Sequence, residues 1–424
     1  MVETTKKPAI RFAGFTEAWE QRKLGEIADK VTEKNTQNQY SETFTNSAEF
    51  GVINQRDFFE HDISNANNIG GYYVVKKEDF VYNPRISVTA PCGPINCNRL
   101  DRNGVISPLY TVFRTHNIDT VYLEWYFKSH YWHSYMFFNG DTGARADRFS
   151  IKSDLFFQMP IPLPSVPEQR KIGSIFTQLD NLITLHQRKC DKLKNIKKAC
   201  LEKMFPKNGS NVPEIRFKGF TEAWEQRKFS EVFSILQNNT LSRAELDSEN
   251  GYAKNVHYGD VLIKFGEYLD VQKENLPYIK STTLVRKYKA SFLQDGDIII
   301  ADTAEDEAVG KSCETANSQG QTLISGLHTI PSRPYQKFAS GYLGYYMNSN
   351  AYHNQLLPLM QGIKVTSVSK SSLADTKIVY PKSEKEQRSI ASFFIALDNL
   401  ITLHQRKLEK LKNIKKACLE KMFV

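Results

Sequence analysis

Several fragments of the chain carry residue types that belong to catalytic or ligand-binding constellations, and each lacks its companions. Gly310-Lys311-Ser312 has the ending of a phosphate-binding loop. The leading glycine of such a loop would fall at Glu305, so the cradle of backbone N–H groups is missing. Tyr82-Asn83-Pro84-Arg85 carries the Asn-Pro of an amino-methyltransferase motif, with Arg85 where a second proline belongs and no aromatic residue after it. Asp375-Thr376-Lys377 is a nuclease-like Asp-x-Lys without an upstream Pro-Asp. His116, His130, His133, His257 and His328 show no ligand spacing, and neither do the six cysteines. There is no glycine-rich cofactor loop. No catalytic residue and no metal ligand is therefore assigned.

The charge balance points to a partner instead. Lys and Arg number 56 against 47 Asp and Glu, for a net charge of +9 and a pI near 9.0. Such an excess favours a polyanionic partner and says nothing of the fold. The first residues, MVETTKKPAIRF, contain no apolar leader, and no stretch is long and apolar enough to span a bilayer. A cytoplasmic protein with reduced thiols is expected.

The elements that must position such a partner are set by two repeats. Glu168 to Phe205 is read again from Glu386 to Phe423. The copies differ only at Lys171/Ser389, Gly173/Ala391, Ile175/Phe393, Thr177/Ile395, Gln178/Ala396, Cys190/Leu408 and Asp191/Glu409. Ahead of them, IRFAGFTEAWEQRK from Ile10 recurs as IRFKGFTEAWEQRK from Ile215, so the chain is a duplication. Each long copy reads as a helix. Ser165 with Glu168, and Ser383 with Glu386, have the spacing of a capping box. Lysines crowd the last turns, where cations suit the helix dipole.

Apolar residues recur in steps of three and four at Ile172, Ile175, Leu179, Leu182, Leu193, Ile196 and Cys200, with His186 in mid-seam. The second copy repeats them at Ile390, Phe393, Leu397, Leu400, Leu411, Ile414 and Cys418, with His404 between. This narrow stripe is the coiled-coil pattern and predicts that the two helices pair. Each would be roughly 57 Å long, and a domain of this size is about 40 Å across. An antiparallel pair asks the intervening chain only to leave and return at one end, so antiparallel pairing is expected. It would put the two domains at opposite ends of a rod, related by a pseudo-two-fold axis.

The globular parts read as mixed α/β. In the first, short β-like runs at Gly71, Asp79 and Gly104 precede a helix predicted from Val121 through Phe138, and LFFQMPIPLP closes the domain with a strand. The aromatic residues of that helix, Trp125, Tyr126, Trp132 and Phe137, are assigned to the core. The second part repeats the plan with FLQDGDIIIADT, QTLISGLHTIPSR, GYLGYYMNS and DTKIVYP. Four segments follow: a first domain over 1–165, a helix over 166–206, a second domain over 207–382, and a helix over 383–424. Near-identical helices beside divergent domains are expected if the domains do one job on different targets.

GFTEAWEQRKLGEI, IPLPSVPEQRKI and the helix LDNLITLHQRKLEKLKNIKKACLEKMF together resemble the specificity subunit of type I restriction-modification systems, the HsdS family. The one departure is SEKEQR in the second copy where the first has SVPEQR. The resemblance implies an α+β fold with two target recognition domains on a long antiparallel helical coiled coil. It further implies a non-catalytic subunit in which each domain reads half of an asymmetric, two-part sequence in double-stranded DNA. The helices would dock two adenine-methylating modification subunits and, with them, restriction subunits. S-adenosylmethionine, Mg and ATP would belong to those partners, with no cofactor in this chain.

Reading DNA needs amide, hydroxyl and guanidinium groups on a rigid edge, with Lys and Arg on phosphates. The candidates in the first domain are Arg85, Ser87, Arg99, Arg102, Arg145, Arg148 and Lys152. In the second they are Asn255, His257 and Tyr258, then Lys264, Thr303, Lys311, Lys364, Ser367 and Lys370. Two other classes compete. A stand-alone nuclease or methyltransferase is opposed by the missing motifs, and a purely structural coiled-coil adaptor by the divergence of the two domains.

Overall fold

The computed structural model describes residues 7–58, 66–142, 147–207, 209–305, 307–362 and 364–424. Its contacts divide the chain into two compact units, one of Met1–His186 with Arg406–Val424 and one of Gln187–Gln405. Each unit therefore holds one globular part, the first half of the long helix that follows it, and the last half of the other long helix. Those helices span Val166–Lys203 and Glu384–Lys421.

The first unit is built on a four-stranded antiparallel sheet in the order Ala28–Lys30, Thr111–Thr115, Phe80–Tyr82, Ile95–Cys97. Phe44–Ser47 and Gly51–Asn54 form a hairpin, and Glu20–Lys23 lies antiparallel to Pro160–Leu163. One face of the sheet is aromatic: Phe80 and Phe113 stack with centroids 5.4 Å apart, and Phe127 and Phe156 close over them. The helix predicted from Val121 is two. Thr120–Lys128 starts at Asp119, whose carboxylate accepts from the N–H groups of Val121 and Tyr122, and His133–Asn139 follows after a break. At the break Ser129 is extended, and its hydroxyl donates back to Tyr126 O at 2.6 Å. Trp125, Tyr126 and Trp132 are buried as expected, while Phe137 is exposed.

In the second unit a five-stranded sheet runs Phe233–Ile235, Thr329–Pro334, Ile298–Ala301, Ser312–Ala316, Tyr268–Asp270, with only the last pair parallel. Ile298–Ala301 is buried along its whole length, as a continuous apolar run in a strand covered on both faces should be. A three-stranded sheet of Tyr278–Ile279, Ala253–Val256 and Leu323–Ser325 stands beside it.

The two units repeat their fastenings. In the first, Arg11 forks onto the buried carboxylate of Glu168 at 2.6 and 2.8 Å, and Ile10 N–H donates to Lys421 O. In the second, Arg216 forks onto Glu386 at 2.7 and 2.9 Å, and Ile215 N–H donates to Lys203 O. The glutamates expected to complete a capping box thus fasten the repeated IRF segments. A carboxylate with no exposed surface needs a charge partner more than a helix start needs a second acceptor. The sheets share a pair as well: Arg114 forks onto Asp79 and Arg333 onto Asp297.

Within each unit the two helix segments run antiparallel. In the first, Phe176 stacks on Phe423 at 5.8 Å and Lys415 binds Asp180, so one numbering rises as the other falls. The second unit has the same contacts: Phe394 stacks on Phe205 at 5.9 Å and Lys197 binds Asp398. The burial departs from the expected seam. Ile172, Leu179, Ile390 and Leu397 are buried, and Ile175, Leu193, Cys200, Phe393, Leu411 and Cys418 are half-buried against the cores. His186 and His404 are half-buried. Leu182, Leu400, Ile196 and Ile414 are exposed, at 42%, 44%, 36% and 39%. The reason is that each helix also packs on its own domain. Phe176 and Phe394 turn inward to stack on Trp125 and Tyr345, each at 4.9 Å, which rotates the buried arc away from Leu182 and Leu400.

Candidate nucleic-acid interface

In the first unit the chain leaves strand Phe80–Tyr82 through a tight turn. Asn83 Oδ1 accepts from Arg85 N–H at 3.0 Å, as asparagine side chains do to stabilise turns. Pro84 O then accepts from Phe149 N–H and Ile86 N–H donates to Asp147 O, which sets Arg85 directly opposite Arg148 as an antiparallel bridge. Like charges opposed across a bridge repel. The counter-charge is thin: Asp147 lies 3.8 Å from Arg85, and Arg148 has no ion pair among the described residues.

Both arginines line a cleft of about 590 Å³ together with Ser87, Gln55, Leu109 and Tyr110. One wall is the Phe44–Ser47 hairpin, held by Asn46. Its amide donates to Val81 O and Pro94 O, and its Oδ1 accepts from Asn96. Among the described residues, no lysine lines this cleft.

The other candidates of this unit lie elsewhere. Arg99 binds Glu124 at 2.8 Å. Arg102 forks onto Glu42 and, chiefly through that hydrogen bond, holds the Glu42 carboxyl below its ordinary range. Lys152 is exposed just before the short helix Ser153–Phe157, and Arg145 lies outside the described residues.

The second unit uses the same backbone device with other side chains. Strand Ile298–Ala301 continues through Asp302 to Thr303, which pairs with Ser367, and Val368 N–H donates to Asp302 O. Thr303 and Ser367 therefore stand where Arg85 and Arg148 stand in the first unit. Thr303 Oγ1 donates to Asp302 at 2.7 Å, and His328 Nδ1 is 3.4 Å from both Thr303 Oγ1 and Asp302 Oδ1. The Tyr258 ring meets the His328 ring edge-on at 5.2 Å. Lys364 and Lys370 are exposed, each three residues from Ser367.

Three candidates of this unit are corrected. Asn255 is fully buried, and its Oδ1 accepts from Asn239 at 2.6 Å. His257 is buried and caps the helix Tyr258–Ile263, its Nδ1 accepting from Gly259 N–H. Burial, followed by nearby Arg243, lowers the His257 pKa and favours this neutral acceptor. Lys311 turns inward to donate to Leu262 O at 2.8 Å, and burial lowers its pKa. Lys264 remains at the surface, bound to Asn275 O.

Sequence reasoning passed over His328 and Asp302. His328 has φ 54°, a left-handed conformation uncommon outside glycine and found at turns and functional sites. The local signal for it was the Gly326-Leu327-His328 turn between two β runs.

A duplicated α/β scaffold thus repeats its fastenings and differs at the bridge beyond the central strand of each sheet. The family described as the type I restriction modification DNA specificity domain matches residues 16–195 and 221–413, most of the chain, and the chain belongs to it. It is 26% identical over 285 residues to the type I restriction enzyme MjaVIII specificity subunit of Methanocaldococcus jannaschii. That match covers 63% of this chain and 61% of the relative's length.

Two solved structures share the fold. One, a chain from a structure addressing complex assembly and conformational transition of the type I R-M system, has a TM-score of 0.51 at 15% identity, covering 97% of this chain and 99% of that one. The S subunit of a type I restriction-modification system from M. genitalium has a TM-score of 0.50 at 13% identity, covering 99% of both chains. Among the described residues no helix is long and apolar enough to cross a membrane, and no group of His, Cys, Asp and Glu could hold a metal ion.

Proposed function

We propose that this chain is the non-catalytic subunit that gives a type I restriction-modification complex its DNA sequence. Each globular domain reads one half of an asymmetric, two-part target in double-stranded DNA. The observation that carries this is the pairing of sameness and difference: Arg85 and Arg148 in one unit are replaced by Thr303 and Ser367 at the same bridge in the other. A module used twice on one sequence would have no reason to vary its edge and keep its fastenings.

The helices dock two modification subunits, which bring S-adenosylmethionine and methylate adenine, and restriction subunits join them with Mg and ATP. Leu182 and Leu185 on one helix and Leu400 and Leu403 on the other support this reading. They are apolar and exposed, yet identical in the two copies although the domain cores do not need them. The repeated antiparallel contacts also support a coiled coil with pseudo-two-fold symmetry, which would offer the same docking face twice.

Mapping methylated adenines in DNA from cells that express the chain with its modification subunit tests the proposal. A two-part asymmetric target is expected, and replacing residues 22–164 with another family member's domain should change one half only. Methylation without a two-part target, or a change in both halves, would sink it.

A further inference from the structure

Two register-equivalent positions separate the domains by charge. Arg85 and Arg148 occupy them in the first unit, Thr303 and Ser367 in the second. The equivalence rests on the backbone: in each unit the strand that enters the bridge pairs with the same two neighbours, and the residue after the bridge, Phe149 or Val368, is buried and donates its N–H to the residue before it. Phosphates are common to every half-site, so a phosphate contact would be wanted equally from both domains. What must differ between them is contact with base edges.

The surroundings favour the same choice. Apart from the two arginines and Glu49, the first-unit cleft is lined by neutral and aromatic residues, and no lysine lines it among the described residues. The two arginines stand opposite one another across the bridge, with Asp147 3.8 Å from Arg85 and Glu49 on the cleft lining, and like charges so opposed would be relieved by a shared hydrogen-bond acceptor. Guanine offers such an acceptor pair, O6 and N7, on its major-groove edge, and arginine is its commonest reader.

Resting on the proposed DNA-reading function, we infer that Arg85 and Arg148 read a guanine in the first half-site. Thr303 and Ser367, with His328, read the corresponding base of the second half-site through neutral hydrogen bonds. The first domain's guanine position and the second domain's neutral position are then the same step of the protein read against two different bases.

The test uses the full chain assembled with its modification subunits and compares methylated sites for the wild type, Arg85→Ala, Arg148→Ala and Arg85→Gln. The wild-type first half should contain guanine. Each alanine variant should relax that one position to any base, lower methylation of the original site about ten- to a hundredfold, and leave the second half unchanged. Arg85→Gln should move the preference at that position towards adenine, which glutamine reads. An intact second half in every variant reports that the protein is folded. The inference is overturned if the variants weaken methylation at all sites alike with a shallower salt dependence, which is phosphate contact, or if the first half lacks guanine. A wild type with no two-part target would instead refute the DNA-reading function itself.

Discussion

The two sheet edges differ in a way their shared scaffold makes easy to interpret. In the first unit the bridge beyond the central strand carries two cations facing a concave, mostly neutral cleft. In the second the same bridge carries two hydroxyls, and that of Thr303 leans on Asp302 and His328. Behind each edge the Arg–Asp pair of the sheet and the Arg–Glu fork at the helix start are unchanged in kind. At the two bridges the difference lies in groups that water can reach, while the carboxylates that fasten each helix start and each sheet are buried in both units. Binding chemistry here has been altered without disturbing the contacts that hold the domain together.

If the fastenings are equivalent, removing either should do equal harm. Arg11→Ala leaves the buried Glu168 carboxylate without its charge partner, and Arg216→Ala does the same to Glu386. Each should cost about 3–5 kcal/mol, read by chemical denaturation. Markedly unequal losses would break the comparison.

The next effect belongs to one unit alone. Glu314 stands opposite Ile298, at the register position filled by Cys97 opposite Phe80 in the first unit. It is fully buried, and burial pushes its carboxyl up to about 7 even though the N–H groups of Gly341, Leu343 and Gly344 favour the charge. Below the ordinary glutamate range both folded and unfolded chains are protonated there. As pH rises towards about 7 only the folded chain keeps the proton, so stability falls by up to about 3 kcal/mol and then levels off. Thermal melts from pH 4 to 8 should show this decline, and Glu314→Gln should remove it. An unchanged slope in the variant would show that other groups carry it.

A smaller effect sharpens the reading of the edges. Thr303→Arg with Ser367→Arg gives the second unit the first unit's bridge. Preference at one position of the second half-site should move towards guanine by about tenfold, measured from the methylated sequences. Smallest in stability is Leu182→Ser with Leu400→Ser. Both residues are exposed, so the isolated chain should change by no more than about 0.5 kcal/mol. Co-purification with the modification subunit should nevertheless be lost; full retention would remove these leucines from the docking face.

The repeats, the two helices and the α/β character were legible because they rest on local pattern. The face each helix buries was not. Spacing marked Leu182 and Leu179 alike, and only the stacking of Phe176 on Trp125, distant in sequence, shows which one turns inward. The binding candidates divided in the same way. Arg85, Arg148, Thr303 and Ser367 could be named one by one, but their pairing is a register between segments some sixty residues apart, which no local pattern encodes. Asn255, His257 and Lys311 were misplaced because residue type signals polarity and not which way a side chain faces. Each found a partner inside the fold.

The fork of Arg11 onto Glu168, repeated as Arg216 onto Glu386, has a consequence for how such proteins change over time. Both halves of the latch lie in near-identical stretches of sequence, at the two borders of a domain. Those borders are where homologous recombination can cut and rejoin, and any domain that arrives between them meets the same socket. A cell could acquire a new DNA address in one exchange, with no fresh search for a stable protein.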